Sequence, residues 1–330
     1  MKYFSLSLEN SETKYVTFPF YKDGRVLEGG VVSSSRSVAS HSNALASPSN
    51  ALVSPTRALV SPSRAPLCGM SVKAAGTMRF RWNETNDNRN AFLKGLCSSR
   101  SKGGSSSFLT PKPVELIHSK LVVDLKCGDE ADGKQADGII TKNRDFLPVV
   151  TVADCMPLYL YDSVTGVFGV VHSGWKGTGI AGEAIKLARA DYGARAEDFC
   201  VVIGPHIRDC CYIVNEERAK YFTDNFGSDC VSPLEEGGVC RAGGRGLPVS
   251  WNNGTGMLYR LSLEKANLNV LARAGVREEN IAVCTDCTCC NELLGSNRRE
   301  TADFIAKNPG ASPEQLSRCF SVQCAFIGAF

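Results

Sequence analysis

The chain has 330 residues, 43% of them hydrophobic and 22% charged, a balance that suits one large globular domain or two small ones. Lys and Arg number 37 against 34 Asp and Glu, a net charge of +3. Arg36, Arg57 and Arg64 share one acid-free stretch, and without them the charges cancel, which leaves no concentrated basic face for a nucleic acid.

The opening, MKYFSLSLENSE, carries one Lys and a short apolar stretch ended by Glu9, too weak for a signal peptide. Residues 1–32 are expected to supply N-terminal strands of the fold. Residues 33–66 repeat a seven-residue pattern (NALASPS, NALVSPT, RALVSPS) with a Pro in every copy and no aromatic residue. Such a stretch buries too little apolar surface to offset its ordering entropy, and the prolines forbid a continuous helix, so it reads as a disordered insertion. Residues 67–330 are taken as the main folded domain. Within it, residues 98–107 (SSRSKGGSSS) and 235–246 (EEGGVCRAGGRG) read as flexible loops.

The remaining pieces alternate between strand and helix. Residues 114–125 are strand-like on both sides of His118, and 137–141 form a short strand. The apolar runs 147–152 and 157–161 flank an Ala153-Asp154-Cys155 corner, and 167–172 is a third strong β run ending in His172. Helical spacing over 182–192 stops at Gly193, and a buried strand follows at 199–203. Amphipathic helices are expected over 216–226 and 262–274, and late strands over 281–284 and 320–326. The longest apolar run, 146–161, is cut by Asp154 and two prolines, so no membrane helix is read. The interleaving makes the class mixed α/β.

Four histidines occur, and His41 falls in the insertion. His172 closes an apolar strand before a Gly-flanked turn, and Cys155 follows another such strand. Both therefore sit at a rim, where sites are built. The pair suits a shared metal or a Cys–His catalytic dyad, and each residue alone has an ordinary structural alternative. Fifteen cysteines is an odd count, and without a secretory signal they read as mostly reduced thiols of a cytosolic protein. The cluster CTDCTCC (Cys284, Cys287, Cys289, Cys290) is half of a zinc or redox site, with Cys210-Cys211 available to complete it. No partner stands at zinc-finger spacing, which favours incidental thiols.

The stretches TVADCMPLYLYD (151–162) and VVHSGWKGTGIAG (170–182) resemble the signature of the multicopper polyphenol oxidase or laccase-domain family. ADGIITK, VVIGPHIRDCCYIVNEE, LSLEKANLNVLARAGV and SNRRE follow in the order of that family, so the resemblance covers about residues 78–326. It implies two mixed β-sheets packed between helices in a layered sandwich. It further implies purine nucleoside phosphorylase and adenosine deaminase activities, with adenosine, inosine, guanosine and methylthioadenosine as substrates. The family's metal, usually zinc, would then lie on His118, Cys155 and His172, a set that leaves one tetrahedral position open for water. Asp154 becomes a candidate for proton transfer beside the metal, with turn capping as its ordinary role. Lys176, Arg298 and Arg299 become candidates for phosphate, and Trp175 for stacking on a base or filling the core. The block reads HSGWKG where the family's is usually HAGWRG, and Ile117 and Ser119 flank His118 where the family has Gln and Gly.

The expected partners are thus purine nucleosides and phosphate, with neither nucleic acid nor membrane. Three rivals remain open: a metal-free cysteine hydrolase using Cys155 and His172, a copper polyphenol oxidase, and a non-enzymatic binder acting through residues 33–66. So few histidines make copper the weaker choice of metal.

Overall fold

The computed structural model describes residues 1–6, 13–27, 64–98, 109–234 and 257–330, with the backbone of Ser40–His41. The architecture is four layers: helices, an eight-stranded mixed sheet, a five-stranded mixed sheet, and one helix. The larger sheet runs in the order Ser40–His41, Lys2–Ser5, Ile281–Cys284, Phe199–Ile203, Met156–Asp162, Phe168–Ser173, Gly138–Thr141, Val122–Leu125. The smaller runs Tyr15–Phe18, Leu67–Ser71, Gln323–Gly328, Phe146–Val152, Thr110–Pro113.

Sheets covered on both faces need apolar residues of either parity, which explains the unbroken runs in the sequence. In Met156–Asp162, Leu158 and Leu160 face the helices Ile180–Tyr192, Glu216–Phe226 and Leu263–Ala274, while Tyr159 and Tyr161 face the second sheet. Val150 and Val152 of the smaller sheet meet those tyrosines. Leu147 and Val149 point the other way, onto Leu93 and Leu96 of the helix Asp87–Ser98. Tyr159 is fully buried, and its hydroxyl donates to the Gly69 carbonyl at 2.9 Å, a hydrogen bond between the two sheets. Ile180, Ala184, Ile185 and Ala188 form the buried stripe of their helix, which ends in a left-handed Gly193.

Most expected elements are present, with four differences. Residues 114–125 are not one strand: only Val122–Leu125 is, and His118 stands on a turn with φ 59°. Residues 301–317, for which no element was expected, are largely helical, in Asn297–Lys307 and in Pro313–Arg318, which opens with a Ser312–Gln315 capping box. The last strand is Gln323–Gly328, starting three residues later than the apolar run. The helix Asp87–Ser98 was not expected, because Asn and Arg dilute its apolar face. Of residues 33–66, all but Ser40–His41 and 64–66 lie outside the described residues. Ala65 is already buried, so the core begins before the expected boundary at 67. The proposed loops 99–107 and 235–246 also lie outside the described residues, and Ser98 ends a helix. Among the described residues, no helix is long and apolar enough to cross a membrane.

Candidate metal centre and active site

Cys155 sits where the chain leaves the smaller sheet at Val152 and enters the larger one at Met156. Asp154 makes that corner possible by adopting φ 76°, a left-handed conformation that Asp tolerates better than most residues. His172 lies near the end of Phe168–Ser173, paired with Pro157 on the neighbouring strand, which brings its imidazole beside the Cys155 thiol. Gly174 keeps this approach open, since a Cβ there would fall 2.6 Å from the Cys155 sulfur.

His118 arrives from a third segment, and Asp137 holds it there. One carboxylate oxygen of Asp137 accepts the His118 amide (2.9 Å) and faces His172 Nδ1 at 3.0 Å. The other accepts the Ser119 amide (2.6 Å) and hydroxyl (2.7 Å). A single buried carboxylate therefore fixes both the histidine turn and the second histidine's ring. With Nδ1 engaged, His172 presents Nε2 to the thiol, an arrangement common behind metal-ligating imidazoles. Ligand atoms of His118, Cys155 and His172 all lie within 4.8 Å of one another, and the two rings are 5.1 Å apart at 81°. A tetrahedral zinc ion places such atoms about 3.3–3.6 Å apart, so small side-chain rotations close the set.

The electrostatics suit a thiolate. Burial opposes ionisation of Cys155, but His172 and His118 outweigh it and bring the thiol down to about 6. Burial likewise opposes charge on His172, yet Cys155 and Asp137 raise it to about 9. Burial works against Asp137 too, and its bonds to His172 and Ser119 hold it below the usual carboxylate range. His172 is buried, Cys155 half-buried and His118 exposed, so the set is closed at the back and open on the His118 side.

That open side leads into a cavity of about 200 Å³. Besides the three ligands, its walls include Arg79, Phe80, Arg81, Leu116, Asn297 and Phe320. The Arg79 guanidinium stacks 5.5 Å from the Phe320 ring, and Arg81 bonds Glu115 at 3.1 Å. Burial lowers the pKa of Arg79, Glu84 works against that, and repulsion by Arg318 and Arg81 adds to the lowering, while the guanidinium donates to the Ser317 carbonyl. An anion entering there would relieve that repulsion.

Lys176, Trp175, Arg298 and Arg299 do not line this cavity. The Arg299 guanidinium bonds the carbonyls of Thr288, Cys289, Asn291 and Leu294 and pairs with Glu300. Arg298 is buried, donating to the Ile213 carbonyl and stacking near Tyr212. Trp175 packs against the core with the Arg218 guanidinium 3.8 Å above its ring, and Lys176 lies over the same ring at 5.6 Å. The S-x-RR motif does reach the cavity, but through Asn297. Asp154 is buried and bonds the Thr288 hydroxyl and the Arg298 amide, both at 2.6 Å. Burial raises its pKa, and these bonds only partly offset that. Its bonds fit the capping role, tying the Cys155 corner to the Asn297–Lys307 helix. Sequence reasoning passed over Asp137, Arg79 and Arg81. The alternation of cations and aromatics in MRFRW, and an Asp opening the 138–141 strand, were the available signals.

Fold and site together define a layered α/β protein with a candidate mononuclear metal centre of the open, catalytic kind. A family model described as multi-copper polyphenol oxidoreductase laccase matches residues 105–304, and the chain belongs to this family. It is 30% identical over 197 residues to a protein named purine nucleoside phosphorylase YlmD from Geobacillus stearothermophilus, covering 56% of this chain and 66% of that one. Over 175 residues it is 41% identical to purine nucleoside phosphorylase LACC1 of Mus musculus, covering 51% of this chain and 36% of the relative. A protein named adenosine deaminase RL5, from an unknown prokaryotic organism, is 29% identical over 163 residues, covering 50% and 55% of the two chains. In these three matches the chain spans between about a third and two thirds of the relative's length. The crystal structure of Geobacillus stearothermophilus YlmD superposes with TM-score 0.59 at 23% identity, over 82% of this chain and 94% of that one.

Proposed function

We propose that this chain is a zinc-dependent purine nucleoside phosphorylase that also deaminates adenosine. The observation that carries the reading is a thiolate and two imidazoles converging at the mouth of a cavity lined by two arginines and two phenylalanines. The names of the curated relatives point the same way.

In this reading His118, Cys155 and His172 hold the ion, and Asp137 orients the first two imidazole-bearing segments through its four contacts. When bound, zinc supplies Lewis acidity at the remaining coordination position. Arg79 and Arg81 hold the phosphate, which replaces the purine at the sugar's anomeric carbon. Phe80 and Phe320 offer apolar faces to the base or the sugar. In deamination, water adds at the amine-bearing carbon of adenine and ammonia leaves. The substrates are adenosine, inosine, guanosine and methylthioadenosine, with phosphate as the second reactant. The cytosolic setting expected from the odd cysteine count belongs to the same proposal.

The test supplies adenosine and inosine with phosphate and follows free base, ribose 1-phosphate and ammonia. Absence of all three products from protein shown to contain zinc would end the reading. A metal-free hydrolase is the second reading, favoured by the thiolate–imidazolium pair at Cys155 and His172. Chelation separates the two, since turnover that survives complete removal of metal belongs to the dyad.

A further inference from the structure

The strands Phe199–Ile203 and Ile281–Cys284 lie parallel and adjacent, so the loops that follow them leave the same end of the sheet. An isolated bridge between His206 and Cys287 keeps these loops in register beyond the strands, and the Thr288 amide donates to the His206 carbonyl at 3.1 Å. Each loop then closes a tight turn. The amides of Cys211 and Tyr212 donate to the Arg208 carbonyl, and those of Cys290 and Asn291 donate to the Cys287 carbonyl. The two turns face each other with their thiols between them.

We propose that Cys210, Cys211, Cys287 and Cys290 bind a second metal ion, a structural zinc separate from the one on His118, Cys155 and His172. All four sulfurs lie within 4.8 Å of one another. The sulfurs are 3.3 Å apart in Cys211–Cys290, 3.7 Å in Cys210–Cys290 and 3.8 Å in Cys210–Cys211. With zinc–sulfur bonds of about 2.3 Å, the edge of a regular tetrathiolate tetrahedron is about 3.8 Å. The cluster is thus near the required size before any ion is added. Cys287-x-x-Cys290 has the spacing of a zinc half-site, and the second half comes from a distant loop.

The surroundings match a bound thiolate group. The Arg208 amide points at the Cys287 sulfur at 3.4 Å, a contact that favours the charged form. Four thiolates around a divalent cation carry net negative charge. The loops that carry them are braced by arginines: Arg208 pairs with Glu264 and bonds the Cys284 carbonyl, and Arg260 bonds the carbonyls of Asp209 and Cys210. Binding releases the remaining thiol protons to solvent. Four thiolates leave no open position, so the ion's role is structural.

The site matters to the rest of the molecule through Thr288, which lies inside the Cys287–Cys290 turn and donates to Asp154, next to Cys155. Arg299 bonds the carbonyls of the same turn. Tightening this turn therefore steadies the corner that carries the catalytic thiol.

The experiment counts metal by mass spectrometry in full-length protein purified without a metal-affinity column and equilibrated with zinc alone. Two zinc ions per chain are expected in the native protein. One should remain in Cys287→Ser/Cys290→Ser and one in Cys155→Ala/His172→Ala. Replacement of zinc by cobalt(II) should give a strong sulfur-to-metal absorption that survives nearly whole in the second variant and falls in the first to the weaker band of the single Cys155–cobalt bond. A single zinc in the native protein, with none in Cys155→Ala/His172→Ala, overturns the proposal. So does a disulfide among the four cysteines in protein isolated without oxygen. If the serine variant does not fold, the count in Cys155→Ala/His172→Ala decides alone. Neither readout involves nucleoside turnover, so a failure here is distinct from failure of the proposed activity.

Discussion

The two cysteine-bearing regions at the same end of the large sheet differ in one respect that sets their chemistry. At Cys155 the donors are mixed, come from three segments and are closed only at the back, where Asp137 sits. At Cys287 all four donors are thiols from two facing turns, and no donor position is left for substrate. An open set can bind a reactant, whereas a closed one can only hold chain segments together. On the two proposals, the number of free coordination positions, rather than the presence of cysteine, separates the catalytic from the structural role.

The comparison can be broken by substitution. The largest effect is expected at the open site: Cys155→Ala or His172→Ala should reduce nucleoside turnover to the uncatalysed background while circular dichroism keeps the native spectrum, with His172→Ala also lowering the melting temperature because it leaves the buried Asp137 carboxylate unpaired. If turnover survived, the open set would not be the catalytic one. At the closed site the balance should reverse. Cys287→Ser/Cys290→Ser should lower stability by about 4 kcal/mol, as expected for loss of a structural metal, with a smaller fall in turnover. Denaturant titration and steady-state rates on the same preparations check this.

Asp137→Asn sharpens the contrast without removing a ligand. It should weaken metal binding at the open site roughly 10–100-fold, the usual cost of losing a carboxylate behind a ligating imidazole, and leave the other site untouched. Competition with a chromogenic chelator measures it. Arg79→Ala or Arg81→Ala should raise the phosphate KM about tenfold, consistent with loss of a charge-assisted hydrogen bond, whereas Lys176→Ala should leave it unchanged. Equal effects at all three positions would place phosphate elsewhere.

A separate effect, on stability alone, belongs to pH. His206, on the loop that carries Cys210 and Cys211, is fully buried, and burial lowers its pKa to about 4 despite the Gly204 carbonyl. Its folded value lies below the unfolded one near 6.5, so the unfolded chain binds the extra proton between those values. Stability from this group is therefore complete above pH 6.5, falls as pH drops towards 4 and is flat below that. The loss is about 3 kcal/mol over the window. His206→Gln should flatten this limb in urea titrations at several pH values.

Much of the molecule is legible in its residues. Apolar runs of both parities announce doubly covered strands, and Gly193 and Gly275 mark real helix ends. Cys155 and His172 could be located because each closes or follows a strong β run. His118 was harder, since its turn has no period and depends on Asp137, a residue 19 positions away. The surroundings of Arg299 were hidden for a related reason. A cationic pair in sequence looks alike whether it faces a ligand or brackets carbonyls, and only the position of the 288–294 loop distinguishes the two.

By itself the sequence determined the class of fold and the strands and helices of its centre, because periodicity and residue chemistry are local properties, while the set of His118, Cys155 and His172 came from the resemblance of its motifs to a family. Tertiary structure decided which side chains share a point in space. It brought Arg79 and Arg81 to the cavity, turned Arg298 and Arg299 away, and joined Cys210-Cys211 to a turn some eighty residues later. Those pairings follow from strand order and sheet crossing, which depend on how whole layers bury their faces and so cannot be read from any one segment.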